Sequence, residues 1–172
     1  MAKEVPCLCT KACRRGVSIF MMYILFSIGS DRYALDSSHV VEIVPRVELW
    51  QVPKAPSYVA GVFRYRGRLV PVLDLCWLMH GQPCPARLST RIVLVHYPDE
   101  NGLSPILGLM VERVTDTLTA DEVTFAPTGM TTEDAPYLGD IATDAHGMIH
   151  RLRVEALLPA PMRVALLSQP GA

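Results

Sequence analysis

The chain has 172 residues, 50% of them apolar and 19% charged, which is enough to bury one compact core, divisible into two lobes. A formal net charge of -1 provides no long-range field to draw it onto nucleic acid or an anionic membrane, and no block of like charge stands out along it. Those two classes of partner are excluded and proteins are favoured.

Lys3, Lys11, Arg14 and Arg15 precede an apolar run over residues 17–28. That run is too short for a membrane span of about 20 residues. No small-x-small cleavage site follows it; Gly29-Ser30-Asp31-Arg32 reads instead as a turn into a second strand. The first strand is therefore expected from Met22. Residues 1–20 are read as a disordered N-terminal extension, 21–160 as the folded domain and 161–172 as a C-terminal tail. Cys7, Cys9 and Cys13 crowd into the extension, and Cys76 and Cys84 lie far away. An odd, uneven count argues against a disulfide framework and for a reducing, cytoplasmic setting.

Short segments rich in Val, Ile, Leu and Tyr then recur between turn residues, the pattern of many brief strands. Tyr23-Ile24-Leu25-Phe26-Ser27-Ile28 and Arg32-Tyr33-Ala34-Leu35 predict a hairpin. Val40-Val41-Glu42-Ile43-Val44 runs into Pro45, and Val52-Pro53-Lys54-Ala55-Pro56 is a proline-stiffened loop. A second hairpin is expected from residues 58–65 and 68–73 around Arg66-Gly67. After it, Asp74 can cap one or two helical turns over residues 75–79, ended by Gly81 and Pro83-Cys84-Pro85.

The second half replays this order. Arg91-Ile92-Val93-Leu94-Val95-His96 answers the first strand and Ile106-Leu107-Gly108-Leu109-Met110-Val111 the second. Val111-Glu112-Arg113-Val114 answers Val40-Val41-Glu42-Ile43, and Tyr137-Leu138-Gly139-Asp140-Ile141 answers Tyr58-Val59-Ala60-Gly61-Val62. A turn at His146-Gly147 and a short helix over residues 154–158 complete the echo. The polar stretch 115–136 reads as a surface excursion. Two copies of one β-rich unit imply an all-β fold of two small packed sheets or barrels.

No catalytic or metal-binding constellation emerges. Gly61 and Gly67 sit in a hairpin, not in a strand-to-helix phosphate loop. His39, His80, His96, His146 and His150 are scattered, and Gly147 argues against a helix that would align His146 with His150. Cys76, beside Trp77 and Leu78, reads as a buried small hydrophobe, and Glu133-Asp134 as solvated loop carboxylates. The sharpest remaining feature is Gly61-Val62-Phe63-Arg64-Tyr65-Arg66-Gly67-Arg68. Alternation is expected to place Arg64, Arg66 and Arg68 on one face, either solvated or used as a binding surface.

At this hairpin the sequence resembles the CheW family of chemosensory coupling proteins. The resemblance rests on Gly61-Val62, Arg66-Gly67 and Pro71-Val72-Leu73-Asp74-Leu75, and extends over roughly residues 22–158 through Tyr33-Ala34-Leu35, Val41-Glu42-Ile43, Pro53, Pro56-Ser57-Tyr58-Val59, Gly108 and Val111. It implies two interlocked five-stranded barrels with short helical turns, no catalysis and no cofactor. It also implies two binding surfaces, one for the regulatory domain of a CheA-type histidine kinase and one for the helical tip of a methyl-accepting receptor. On the family's pattern Val40, Glu42, Gly61 and Arg66 would line the receptor groove, while Arg64, Tyr65 and Arg68 would meet the kinase or another partner. Arg64 and Tyr65 depart from the family's Asn and Leu, which points to a dedicated pathway rather than general chemotaxis. Asp140, His150, Arg151 and Arg153 depart from an expected Gly and an apolar strand. Two alternatives are a module of the same fold that binds a response regulator, and a small ligand-binding barrel or enzyme using His96 or Cys76.

Overall fold

A computed structural model of the chain describes residues 21–98, 104–127 and 135–167. The extension at 1–20 with its three cysteines, and Glu133-Asp134, lie outside the described residues. Ten strands appear in order: β1 (Met22–Ile28), β2 (Asp31–Asp36), β3 (Val40–Pro45), β4 (Val59–Tyr65), β5 (Arg68–Asp74), β6 (Arg91–His96), β7 (Ile106–Val111), β8 (Arg113–Thr119), β9 (Leu138–Asp144) and β10 (Gly147–Leu152). Helix α1 (Leu75–His80) follows β5, α2 (Ala160–Leu167) follows β10, and 3-10 turns occupy Ser37–His39 and Val154–Ala156. No described helix is long and apolar enough to cross a membrane.

The predicted local signals operate as expected. Gly29 at φ 58° and Ser30 form a two-residue turn that closes the β1–β2 hairpin at Ile28 and Asp31. Asp74 caps α1 by accepting the Trp77 N–H at 3.0 Å, and Gly81 ends it in the left-handed region at φ 70°, donating its N–H to the Trp77 carbonyl. The polar stretch from Thr115 was expected to be loop, yet Arg113–Thr119 is a strand. It is an edge strand with most residues exposed or half-buried, so its residues need not be apolar. Residues 161–167, assigned to the tail from sequence, belong to the helix Ala160–Leu167, which buries Leu166 in the core.

The two halves exchange strands. One sheet runs β8-β1-β2-β10-β9, the other β3-β6-β7-β5-β4. The last three strands of each repeat thus complete the sheet begun by the first two strands of the other. The registers superpose: Leu25 faces Ala34 as Leu94 faces Gly108, and Arg151 faces Ala34 as Val72 faces Gly108. A bulge follows Val40 in β3 and its counterpart follows Val114 in β8, so Val40 corresponds to Val114 and Glu42 to Asp116. The echo read from sequence at Val111 is three residues out of step there.

Barrels were expected; the sheets are open. The edges β3 and β4 do not form a ladder with each other, nor do β8 and β9. Each gap is spanned by one bridge instead: Trp50 exchanges two backbone hydrogen bonds with Val62 (2.9 and 2.8 Å), and Ala126 does the same with Ile141 (both 2.9 Å).

One large core lies between the sheets. Phe26, Ile28, Tyr33 and Leu35 from the first meet Val70, Val72, Leu94, Leu107 and Leu109 from the second. The opposite face of β1 feeds a smaller cluster of Tyr23, Leu25, Ala34, Val123, Ala142 and Ile149. Burial on both faces explains why β1 is apolar at every position but Ser27. Arg32 holds Asp144 through two hydrogen bonds of 2.6 and 2.8 Å, stapling β2 to the β9–β10 turn beside a parallel ladder only three residues long.

That guanidinium, together with the His146 N–H, lowers the Asp144 carboxyl to about 2. Because its folded value is depressed, the stabilisation is complete above the unfolded value of about 4 and is lost as pH falls toward 2. Asp144→Asn is expected to cost about 1–2 kcal/mol at pH 7 and to flatten the acid side of the stability profile between pH 5 and 2. Denaturant melts across that range check it; an unchanged acid limb would count against the staple.

Candidate protein-binding surface

The β4–β5 hairpin closes at Tyr65 and Arg68 through a two-residue turn in which Arg66 (φ 48°) and Gly67 (φ 83°) are both left-handed. Left-handed backbone is unfavourable for arginine, so position 66 holds this side chain against a conformational cost of about 1 kcal/mol. The side chain projects from the tip with 75% of its surface exposed.

Glu42 reaches this tip from the opposite edge strand. Its Oε2 accepts a hydrogen bond from the Tyr65 hydroxyl and another from the Arg66 guanidinium at 3.0 Å, while Arg66 lies 5.1 Å from the Tyr65 ring centre. The carboxylate as acceptor pushes the Tyr65 phenol above its ordinary value. Across the open gap between β3 and β4, a three-residue cluster of carboxylate, phenol and guanidinium therefore does what a ladder would otherwise do. Glu42, Tyr65 and Arg66, predicted from two separate sets, are brought together. Val40 stands half-buried at the start of β3, opposite Val95.

Arg64, Arg66 and Arg68 do not share a face. Arg64 pairs with Leu69 and Tyr65 with Arg68, so Arg64 and Arg68 point to opposite sides of the hairpin. Alternation fails because the turn at Arg66-Gly67 folds the ribbon back on itself. Both are exposed, and neither has an acidic partner among the described residues.

Gly61 is buried, at φ 144°. A Cβ there would lie 2.5 Å from the Trp50 carbonyl oxygen. The backbone that approaches it is the chain's own segment at 49–50, not a partner's; Gly61 acts on the surface by positioning Trp50.

Trp50 itself was missed. Trp50 is 61% exposed and, with Val44, Val47, Glu48, Phe63 and Arg64, lines an apolar depression of about 340 Å³. A single bridge residue has no periodicity to announce it. The exposed indole was the available signal only as a residue type enriched at protein contacts.

The charged departures in the second half form their own network. Arg151 stands 3.9 Å from both Asp36 and Asp140, and Arg153 stands 4.0 Å from Asp140. By register Arg151 replaces Val72, and it also lies over the Tyr23 ring. An internal ion network thus substitutes for apolar contacts at that end. His146 sits in the β9–β10 turn and His150 in β10 against Tyr33, so the two do not form a metal pair.

Cys76 and Cys84 are bonded to each other and buried at 5% and 6%. Cys76 is buried as expected of a small hydrophobe but is paired, which removes the cysteine count as an argument for a reducing compartment. The reversal at Gly81 brings the two sulfurs together, which spacing alone did not reveal.

The CheW-like domain model matches residues 22–162. The chain belongs to the CheW family. Chemotaxis protein CheW of Helicobacter pylori is 28% identical over 80% of this chain and 81% of its own length. Protein FrzA of Myxococcus xanthus is 36% identical over 40% of this chain and 42% of its own. The crystal structure of the scaffolding protein TtCheW from Thermoanaerobacter tengcongensis shares the fold, with a TM-score of 0.68 at 24% identity, covering 83% of this chain and 90% of that one. The chain is accordingly a non-catalytic chemosensory adaptor with an all-β fold.

Gly61→Ala is expected to cost about 2–3 kcal/mol and to release the Trp50 bridge. Thermal melts combined with tryptophan fluorescence measure both. A fully stable variant with an unshifted emission spectrum would show that the close approach does not hold Trp50.

Proposed function

We propose that the protein couples a methyl-accepting receptor to a CheA-type histidine kinase by binding both in the cytoplasm. The observation that carries this reading is the Glu42–Tyr65–Arg66 cluster, which fixes an exposed guanidinium at the tip of the β4–β5 hairpin, on the open sheet edge that the exposed Trp50 bridges at Val62. Val40, Glu42 and Arg66 serve the receptor tip directly, and Gly61 serves it through Trp50. Arg66, anchored on one side by Glu42, offers its remaining donors to carboxylates or backbone carbonyls of the receptor helices.

Arg64, Tyr65 and Arg68 split between two roles. Tyr65 supports the receptor side from within. Arg64 and Arg68, lacking acidic partners and facing opposite ways, suit contacts with two different acidic surfaces, one of them the kinase regulatory domain. The relatives' names support a chemosensory setting, and family membership supports an adaptor role.

Arg66→Glu places a second carboxylate beside Glu42 at a solvated tip. It is expected to leave the fold intact while reducing receptor affinity at least about 30-fold and abolishing receptor control of kinase activity in a reconstituted array. Arg66→Asn, which tolerates the left-handed backbone, should weaken receptor binding without loss of stability. Unchanged affinity in both variants would remove Arg66 from the interface. Trp50→Ala is expected to weaken one of the two partners by about 10–100-fold, read by titration calorimetry with each partner separately; unchanged binding of both would exclude Trp50 from either contact.

A further inference from the structure

We infer that Cys76 and Cys84 form a reversible redox lock on helix α1, which belongs to the second sheet's connection and touches the first, closed by exchange with a low-molecular-weight disulfide such as glutathione disulfide. Cys76 lies in the first turn of α1 and Cys84 eight residues later, beyond the Gly81 reversal. Asp74 fixes both ends of this loop without using sulfur. Its Oδ1 accepts the Trp77 N–H at 3.0 Å and its Oδ2 the Cys84 N–H at 2.9 Å, and Asp74 is 3% exposed. Those bonds survive reduction, so the two thiols remain opposed. A preorganised pair has a high effective concentration, which favours closure over two mixed disulfides.

The exchange balances in two steps. The thiolate of one cysteine attacks a sulfur of the small disulfide, forming a mixed disulfide and releasing one glutathione thiolate. The second cysteine's thiolate then attacks the protein sulfur of that mixed disulfide and expels the other glutathione. Two electrons pass from the protein to the oxidant, and the two thiol protons end on the two released glutathiones. Both sulfurs are buried, so exchange is slow and proceeds through opening of the loop at 81–90.

What is locked is a junction. The Leu78 carbonyl of α1 accepts the Tyr137 hydroxyl at 3.2 Å, and His80 lies 3.4 Å from Asp31. Tyr137 leads into β9 and Asp31 begins β2, both of the first sheet, whereas α1 continues directly from β5 of the second. Closing the loop therefore stiffens the tie between the sheets and leaves the Glu42 cluster untouched. The same donors, Asp74, Cys76 and Cys84, form a group that could hold a thiophilic divalent cation, which makes zinc the alternative occupant of the reduced site.

The test takes the full chain through a series of reduced to oxidised glutathione ratios, blocks free thiols in denaturant, and maps the blocked positions by mass spectrometry, with zinc measured on the protein as purified. The lock predicts that Cys76 and Cys84 lose reactivity together, with the loss of two hydrogens within one peptide. It also predicts a melting temperature about 5–10 °C higher for the oxidised than for the reduced wild type, a difference absent in Cys84→Ser. Independent reactivity of the two cysteines across the series would overturn it. So would stoichiometric zinc that disappears in Cys84→Ser. The oxidised and reduced wild-type protein decide the matter even if Cys84→Ser fails to fold.

Discussion

Parallel pairing of β5 with β7 and of β10 with β2 is the constraint from which the architecture follows. Each ladder is three residues long, yet each carries a hairpin from one half of the chain into the sheet of the other. Parallel neighbours need a long crossover, and here it runs through α1 and β6 between β5 and β7, and through β3 to β9 between β2 and β10. Neither half can complete its sheet alone, so the two fold as one body around a shared core. Gly108 marks how tightly this is built: a Cβ there would lie 3.0 Å from both Ile92 and Val72 side chains. Its counterpart in the first sheet is Ala34, which is fully buried.

The same exchange creates the surface. Bringing β3 and β4 to opposite edges of one sheet leaves a gap that backbone hydrogen bonds span once, at Trp50 and Val62. Polar side chains take over beyond that bridge, and the glutamate that does so also orients the exposed arginine. A binding tip held by its own scaffold loses less side-chain freedom when a partner arrives. In the proposed coupling role this preorganisation matters more than contact area, because an adaptor must hold two partners in fixed relation.

Hairpins were legible because a two-residue turn with glycine between alternating apolar residues has a local cause, and the cap on α1 has one as well. The repeat was legible too, as an echo of motifs. Strand exchange was not, because an echo says nothing about which copy pairs with which. Arg64 and Arg68 were assigned to one face by counting twos through a turn that reverses the count. β8 from Thr115 onward was read as loop because an edge strand needs few apolar residues, and the open sheets were expected to be barrels because closure depends on a single bridge. Gly61 was assigned to the receptor groove by resemblance, and the backbone packed against it is the chain's own.

Hydrogen-exchange footprinting of the intact protein, alone and then saturated with the receptor tip or with the kinase regulatory domain, tests the central claim most directly. The account predicts slowed exchange with the receptor tip at residues 40–44 and 61–68, and a distinct footprint with the kinase. Protection by both partners confined to the β9–β10 end, with the Glu42–Tyr65–Arg66 region unchanged, would contradict it.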